Sequence, residues 1–268
     1  MYKTMFDKKR WRFIDTHRAS AEWNMAVDEA LLRNFGDDNL PILRLYSWQR
    51  ALSLGRFSDA KKSIDFEQLD KGGISMVRRI SGGGILAHDN ELSYSLIFPR
   101  RFLQERGVKE SYRHLCSFLL LFYQKLGFEA QFAFEVGVQS RHSDICLAGV
   151  EAYDILIEGK KIGGNAQRHT KMAVLQHGTI PISFDKVLFN SLFLEHSGFE
   201  SAATLKEFGV ETKQTILHKI LLDSFCETFH VETSADELSV SEKQSVSELL
   251  KNRYTKSEWN NNGSTIYS

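Results

Sequence analysis

Arg78-Arg79-Ile80-Ser81-Gly82-Gly83-Gly84-Ile85-Leu86-Ala87-His88-Asp89, with Glu91-Leu92-Ser93-Tyr94-Ser95 close behind, is the stretch on which the reading of this chain turns. Three consecutive glycines weaken a strand through backbone entropy and missing side-chain packing. They are tolerated where the backbone turns sharply or where something must come close to it. The flanking Arg-Arg and His-Asp favour a site over a plain bulge, because guanidinium and backbone N–H groups together suit an anionic or carbonyl ligand. Gly82-x-Gly84-x-x-Ala87 formally satisfies a dinucleotide fingerprint. Strand-like sequence follows it where a helix is required, so the match fails. No G-x-x-x-x-G-K-[ST] occurs, which excludes a P-loop ATPase.

On the N-terminal side, Trp23, Ala26, Val27, Ala30, Leu31 and Phe35 follow the i, i+3, i+4 rule from Ser20, with Gly36 as a stop. That predicts a helix. Residues 42–46, 51–54 and 75–80 then read as strands, and 91–98 alternates, with Leu92, Tyr94 and Leu96 set against Ser93 and Ser95. Residues 112–126 form a second helix, apolar nearly all round and so packed under the sheet. Residues 152–157 and 162–167, joined through Glu158-Gly159-Lys160-Lys161, read as a hairpin, and 174–182 continues the sheet. Beyond 201 the texture is helical and polar, over 212–230 and 239–254. The fold class predicted is α+β, a mixed β-sheet with flanking helices. A catalytic domain is expected over residues 1–200 and a helical C-terminal extension, packed on it, over 201–268.

Composition narrows the function. The 268 residues carry 34 basic and 34 acidic side chains, so nonspecific nucleic-acid binding has little electrostatic drive. The first ten residues are basic but no apolar stretch follows, so no secretory signal is expected. The most apolar run, 118–123, is far short of the roughly 20 residues of a membrane helix. Three cysteines do not make a disulfide framework, and a reducing cytoplasm is the expected compartment. Cys116, among Leu115, Phe118, Leu119 and Leu120, reads as packing, and so does Cys226, among Leu221, Leu222 and Phe225. Cys146 differs. It follows Ser140-Arg141-His142-Ser143-Asp144-Ile145, polar and cationic surroundings in which a thiol can ionise. His142-x-x-x-Cys146 has no second Cys/His pair at zinc spacing, so no metal site is expected.

The motif Arg78-Arg79-x-x-Gly82-Gly83-Gly84-x-x-x-His88-Asp89 resembles the signature of the lipoate-protein ligase and octanoyltransferase family. Three further blocks agree in order: Trp11 to Asp15 with Asn24-Met25-Ala26-Val27-Asp28-Glu29-Ala30; Leu52-Ser53-Leu54-Gly55-Arg56-Phe57; and Gly159-Lys160-Lys161-Ile162-Gly163-Gly164-Asn165-Ala166-Gln167 with Gln176-His177-Gly178-Thr179. The resemblance runs from about Trp11 to Trp259. It implies a class II biotin/lipoate ligase-like catalytic domain. Biotin ligation is disfavoured, because no Gly-Arg-Gly-Arg-x-Gly loop is present.

Two chemistries occur on that fold, and both use the lysine that aligns with Lys161. Ligases activate free lipoate or octanoate with ATP and Mg²⁺. Octanoyltransferases need no such cofactor and take octanoyl from acyl carrier protein through a cysteine thioester. In the cysteine-dependent transferases the nucleophile stands just ahead of the lysine hairpin, and Cys146 precedes Lys161 by 161 − 146 = 15 positions. The resemblance therefore implies Cys146 as nucleophile, Lys161 as the cation near the carbonyl, and a lipoyl-domain lysine as acceptor. Acceptors of that kind are glycine-cleavage H protein and the E2 of a 2-oxoacid dehydrogenase. Arg79, Gly82, Gly83, Gly84, His88, Asn165 and His177 are the expected substrate-binding residues, with Ile85 a wall of the acyl channel. Arg79 and His88 either position the thioester or brace the loop. Gly84 stands where many transferases have arginine and many ligases have glycine. An ATP-dependent ligase and a non-catalytic acyl- or lipoyl-domain-binding protein are the alternatives.

Overall fold

Strand β1 (Arg10–Ala19) leads through Ser20 into helix α1 (Ala21–Arg33). Ser20 sits in extended backbone and its hydroxyl accepts the Trp23 N–H, as an N-cap should. The helix ends at Asn34, short of Gly36, because the Asn34 backbone and side-chain N–H groups both close onto Ala30 O. β2 (Ile42–Trp48) and β3 (Ala51–Leu54) follow. Short helices α2 (Ala60–Ser63) and α3 (Phe66–Lys71) carry the chain to β4 (Ser75–Arg78), and the glycine segment joins β4 to β5 (Ile85–His88). Then come β6 (Asn90–Pro99), α4 (Val108–Lys125), β7 (Ala130–Phe132), β8 (Ile155–Ile157), β9 (Lys160–Ile162), β10 (Gly164–His169) and β11 (Ala173–Ser183). The last part holds α5 (Lys186–Asn190), β12 (Ala202–Ala203), α6 (Gln214–Phe229), β13 (Glu232–Ala235), α7 (Val240–Leu249), a π turn (Leu250–Tyr254) and α8 (Ser257–Asn262). This computed structural model describes residues 9–103, 107–137, 151–195, 197 and 202–263.

The fold is α+β, as the periodicities predict. Six strands form the main sheet in the order β10-β11-β6-β2-β1-β13, parallel at β2-β1-β13 and antiparallel elsewhere. On one face, Tyr46, Trp48 and Ile97 pack against Val27 and Leu31 of α1. On the other, Trp11, Tyr94 and Phe98 meet Phe118 of α4 and Phe225 of α6. Each of these large side chains stabilises the fold by about 1.5–3 kcal/mol through burial. Coverage of both faces explains why the alternation of β6 does not divide core from solvent: Ser93 and Ser95 are as buried as Leu92 and Tyr94. α4 begins four residues ahead of the expected 112, and it exposes Arg113, Gln124 and Lys125 rather than being buried all round. The C-terminal part, expected to be helical, also supplies β12 beside β9 and β13 beside β1.

The hairpin is tighter than predicted. β8 starts at Ile155, and Glu158 (φ +50°) with Gly159 (φ +74°) makes the two-residue turn, a pair of positive φ angles that right-twisted strands require. Lys160 and Lys161 are therefore strand residues of β9 and not turn residues, Lys160 exposed and Lys161 buried. At Gly163 (φ +79°) the chain crosses from the four-stranded sheet β12-β9-β8-β7 to the main sheet. A Cβ there would lie 2.1 Å from Thr179 O, so the crossing demands glycine.

Candidate active site

The glycine segment is a loop held from inside by Arg79. Its Nη2 donates to Gly82 O (3.2 Å) and Gly84 O (2.9 Å), and its Nη1 to Ser53 O (2.6 Å) and Ser53 Oγ (2.7 Å). Arg79 thus braces the loop. Gly55 lets the end of β3 touch it: a Cβ at Gly55 would fall 1.7 Å from Gly83 O. Arg78 points the other way and grips the C-terminal segment through Trp259 O, Asn260 O and Asn261 O.

Beside the loop lies a narrow pocket of about 270 Å³, counting its mouth. Arg79, His88 and His177 of the expected residues line it, with Trp48, Leu86 and Ala166 among its other walls. Gly82, Gly83 and Gly84 are not in its wall. Ile85 is not either, contrary to expectation: it packs into a core with Leu54 and Ile64, and Leu86, in the same core, is the one that also lines the pocket. That volume takes in the open mouth, so the enclosed part of the pocket is much smaller. It suits a thin chain, whose burial is worth about 0.8 kcal/mol per CH₂.

Two serine–histidine–carboxylate relays flank the pocket. His88 Nε2 meets Ser53 Oγ at 2.6 Å, His88 Nδ1 meets Glu91 Oε1 at 3.0 Å, and the Trp48 ring stacks on the imidazole at 3.8 Å. His177 Nε2 meets Ser81 Oγ at 2.7 Å and its Nδ1 meets Asp28 Oδ2 at 2.9 Å. The carboxylates assign the tautomers: each Nδ1–H donates to its acid, and each Nε2 accepts from a serine hydroxyl. Both serines are fully buried. The relays thereby fix the orientation of the two imidazoles.

Asp28 is the hub behind them. It accepts from Arg44 Nη1 (2.6 Å), Ser95 Oγ (2.8 Å) and Tyr46 OH (3.3 Å) as well as His177. Burial alone would raise its carboxyl, but the Arg44 charge and the bonds from His177 and Ser95 outweigh burial and hold it below the ordinary aspartate value. Burial likewise lowers His177, with Asp28 opposing that shift only in part. His177 is accordingly a neutral wall of the pocket near pH 7.

Lys161 lies on β9, three residues before Gly164 of the pocket wall. Its Nζ pairs with Asp154 Oδ2 at 2.6 Å, and the two residues are 3% and 8% exposed. Burial pushes the Asp154 carboxyl up, and the Lys161 charge offsets this only partly. Asp154 is itself held by the Glu151 N–H, which bonds the same oxygen at 2.7 Å. Asn165 accepts from Tyr94 OH (2.6 Å), and Gln176 donates to that hydroxyl and to Cys116 Sγ (3.4 Å). Cys116 is fully buried and its thiol is pushed up to about 12 by burial, in keeping with packing; Cys226 is half-buried and also raised. Cys146, with His142, lies outside the described residues. Among the described residues no group of three His, Cys, Asp or Glu could hold a metal ion, and no helix is long and apolar enough to cross a membrane.

Sequence reasoning missed Arg44, Trp48 and Asp154 as site residues, and it carried Asp28, Ser53, Ser81 and Glu91 only inside motifs. One signal was present: Asn24 and Asp28 stand four apart among the apolar positions of α1, a polar stripe that needs buried partners.

Known proteins agree with this architecture. The family model of the lipoyl protein ligase A/B catalytic domain matches residues 20–229. An octanoyltransferase LipM of Bacillus subtilis (strain 168) is 33% identical over 94% of this chain and 98% of its own length. One from Carboxydothermus hydrogenoformans is 35% identical over 93% and 97%. Among solved structures, a lipoate-protein ligase A bound with ATP superposes with a TM-score of 0.81 at 25% identity, covering 94% of this chain and 98% of that one. A bi-partite lipoate protein ligase from Thermoplasma acidophilum, at 24% identity, shares the fold with a TM-score of 0.79, covering 94% and 96%.

Proposed function

Because this chain belongs to the lipoyl protein ligase A/B catalytic-domain family, we propose that it is an octanoyltransferase of lipoate biosynthesis, moving octanoyl from acyl carrier protein to a lysine of a lipoyl domain. The observation that carries this reading is end-to-end kinship with proteins named octanoyltransferase, 33% identical over 94% of the chain. The narrow apolar-walled pocket supports it, since an eight-carbon chain needs length and dryness more than width.

The chemistry takes two acyl transfers. Cys146, as thiolate, attacks the carbonyl of the octanoyl thioester; the new C–S bond forms as the bond to the carrier breaks, and the carrier thiolate leaves and takes up a proton. The ε-amine of the acceptor lysine, on glycine-cleavage H protein or an E2 lipoyl domain, then attacks octanoyl-Cys146. The amide forms, the amine loses its proton, and the Cys146 thiolate is regenerated. Each step places negative charge on the carbonyl oxygen, which a positioned cation stabilises most where water is excluded. Lys161 is the proposed donor, a buried cation paired with Asp154. Working thiol chemistry requires a reducing compartment, in keeping with the cytoplasm, and the transferase reaction itself consumes no ATP.

The second reading is an ATP-dependent lipoate-protein ligase with Lys161 on the adenylate, favoured by the ATP-bound structural relative and by Gly84. Intact mass after mixing with octanoyl-acyl carrier protein and no ATP separates the two. An octanoyl adduct, lost in Cys146→Ala, is the expected result. No adduct, together with ATP-dependent acylation of a lipoyl domain, would overturn the transferase in favour of the ligase.

A further inference from the structure

A second concavity opens on the α1 side of the molecule, about 750 Å³ counting its mouth, and its charge is one-sided. Arg33, Arg56, Arg168 and Arg253 line it against a single carboxylate, Glu29. Glu29 is already engaged: Arg33 pairs with it at 2.6 Å, Arg253 bonds it, and Tyr254 OH donates to its other oxygen at 2.6 Å. Arg56 lies over the Trp259 ring at 4.7 Å, with Arg253 on the same ring at 4.5 Å. Among the described residues neither Arg56 nor Arg168 has a carboxylate partner or a side-chain hydrogen bond. Two guanidinium groups lining one cleft, without such partners among the described residues and with Arg56 lying over the Trp259 ring, suit an oxyanion.

The cleft and the pocket lie along the same strand. Gly164 and Ala166 of β10 line the pocket, and Arg168, next on the same face of that strand, lines the cleft. Arg79 lines the pocket and its neighbour Ile80 the cleft. Gly164 and Arg168 stand about 14 Å apart along the strand, four residues at about 3.4 Å each. A donor that reaches both places therefore carries an acyl thioester at one end and an anion at the other, joined by a long thin arm.

We propose that the four-arginine cleft binds the phosphodiester of the pantetheine arm on which an acyl carrier holds its thioester, with Arg56 and Arg168 making the contacts. This rests on the transferase reading for its choice of donor. The anion contact sets donor affinity and leaves the acyl-transfer step to the pocket.

The test has a binding arm and a kinetic arm. Trp259, whose ring both Arg56 and Arg253 lie over, reports binding by its fluorescence as phosphopantetheine, pantetheine or ATP is added. Saturable binding of phosphopantetheine but not pantetheine is expected, weakened about tenfold by Arg168→Gln or Arg56→Gln, the loss of one charged hydrogen bond. In the kinetic arm, Arg168→Gln should raise the KM for octanoyl-phosphopantetheine with kcat unchanged, and leave octanoyl-pantetheine unaffected. Arg113→Gln, on the exposed face of α4, is the control. Equal effects on both donors, or none on either, overturn the proposal while the transferase stands. Arg168-dependent binding of ATP without binding of phosphopantetheine also overturns it and turns the cleft towards a nucleotide. Phosphate-dependent binding without octanoyl transfer leaves the cleft as an anion site and removes the transferase reading instead.

Discussion

Replacing Lys161 by methionine takes away the ammonium 2.6 Å from Asp154 and leaves a carboxylate in a nearly dry place, where Asp154 is 8% exposed. Breaking a buried pair from one side costs about 3–5 kcal/mol, whereas replacing both partners with neutral groups of similar size is often close to neutral. Whole domains are stable by only about 5–15 kcal/mol. At about 2–4 °C per kcal/mol for a chain of this size, Lys161→Met is expected to lower Tm by roughly 10 °C. Lys161→Met with Asp154→Asn should recover most of that. The loss carries a pH signature. Burial already raises the Asp154 carboxyl in the folded state, and removing its cation raises it further. An acid whose folded pKa exceeds its unfolded value disfavours folding fully above the folded value, and the penalty fades as pH falls towards the ordinary aspartate value of about 3.9. The single variant should therefore lie closer to the wild type at pH 5 than at pH 8. Thermal unfolding of the four proteins of the cycle at both pH values measures this. A Tm of Lys161→Met equal to that of the wild type at pH 8 would refute the buried-pair argument. The same double variant tests function separately from folding. If Lys161 stabilises the oxyanion, the folded double variant transfers octanoyl about 10²–10³-fold more slowly. Near-normal transfer removes Lys161 from the chemistry.

Gly55→Ala should lower Tm and loosen the pocket together, because the added methyl must displace the Gly83 carbonyl backbone that it would meet at 1.7 Å; thermal unfolding at the wild-type temperature would mean that β3 and the loop separate freely. Cys116, with its thiol pushed up to about 12 by burial, should resist iodoacetamide in the native protein at pH 8 and react only on unfolding, while half-buried Cys226 reacts sooner. Peptide mapping after a timed pulse checks the order, and Cys116 labelling as fast as Cys226 would contradict its place in the core.

What was legible in the chain was whatever repeats within a few residues. The apolar spacing of α1, the runs of β2 and β3 and the glycine-bearing hairpin all emerge where periodicity put them, within a few residues at their ends. The buried polar network was not legible, for a physical reason. Alternation along β6 says that Ser93 and Ser95 face away from Leu92 and Tyr94; it does not say what covers that other face. The cover is α1, and the residues that answer one another there are far apart in sequence: His177 and Asp28, bonded at 2.9 Å, are separated by 149 positions. No local pattern carries a pairing over that span. The contiguous motif divides by the same parity. Arg78 and Arg79 are neighbours of identical chemistry, yet adjacent strand-end residues point to opposite sides, so one clamps the C-terminal segment and the other ties the glycine loop beside the pocket. Past the loop, Leu86 and His88 line the pocket, while Ile85 packs in the core without reaching it. A motif of adjacent letters is therefore two interleaved sets, and the alternation that hides the covered face of β6 also helps to sort the glycine motif into residues that only hold the fold and residues that line the pocket.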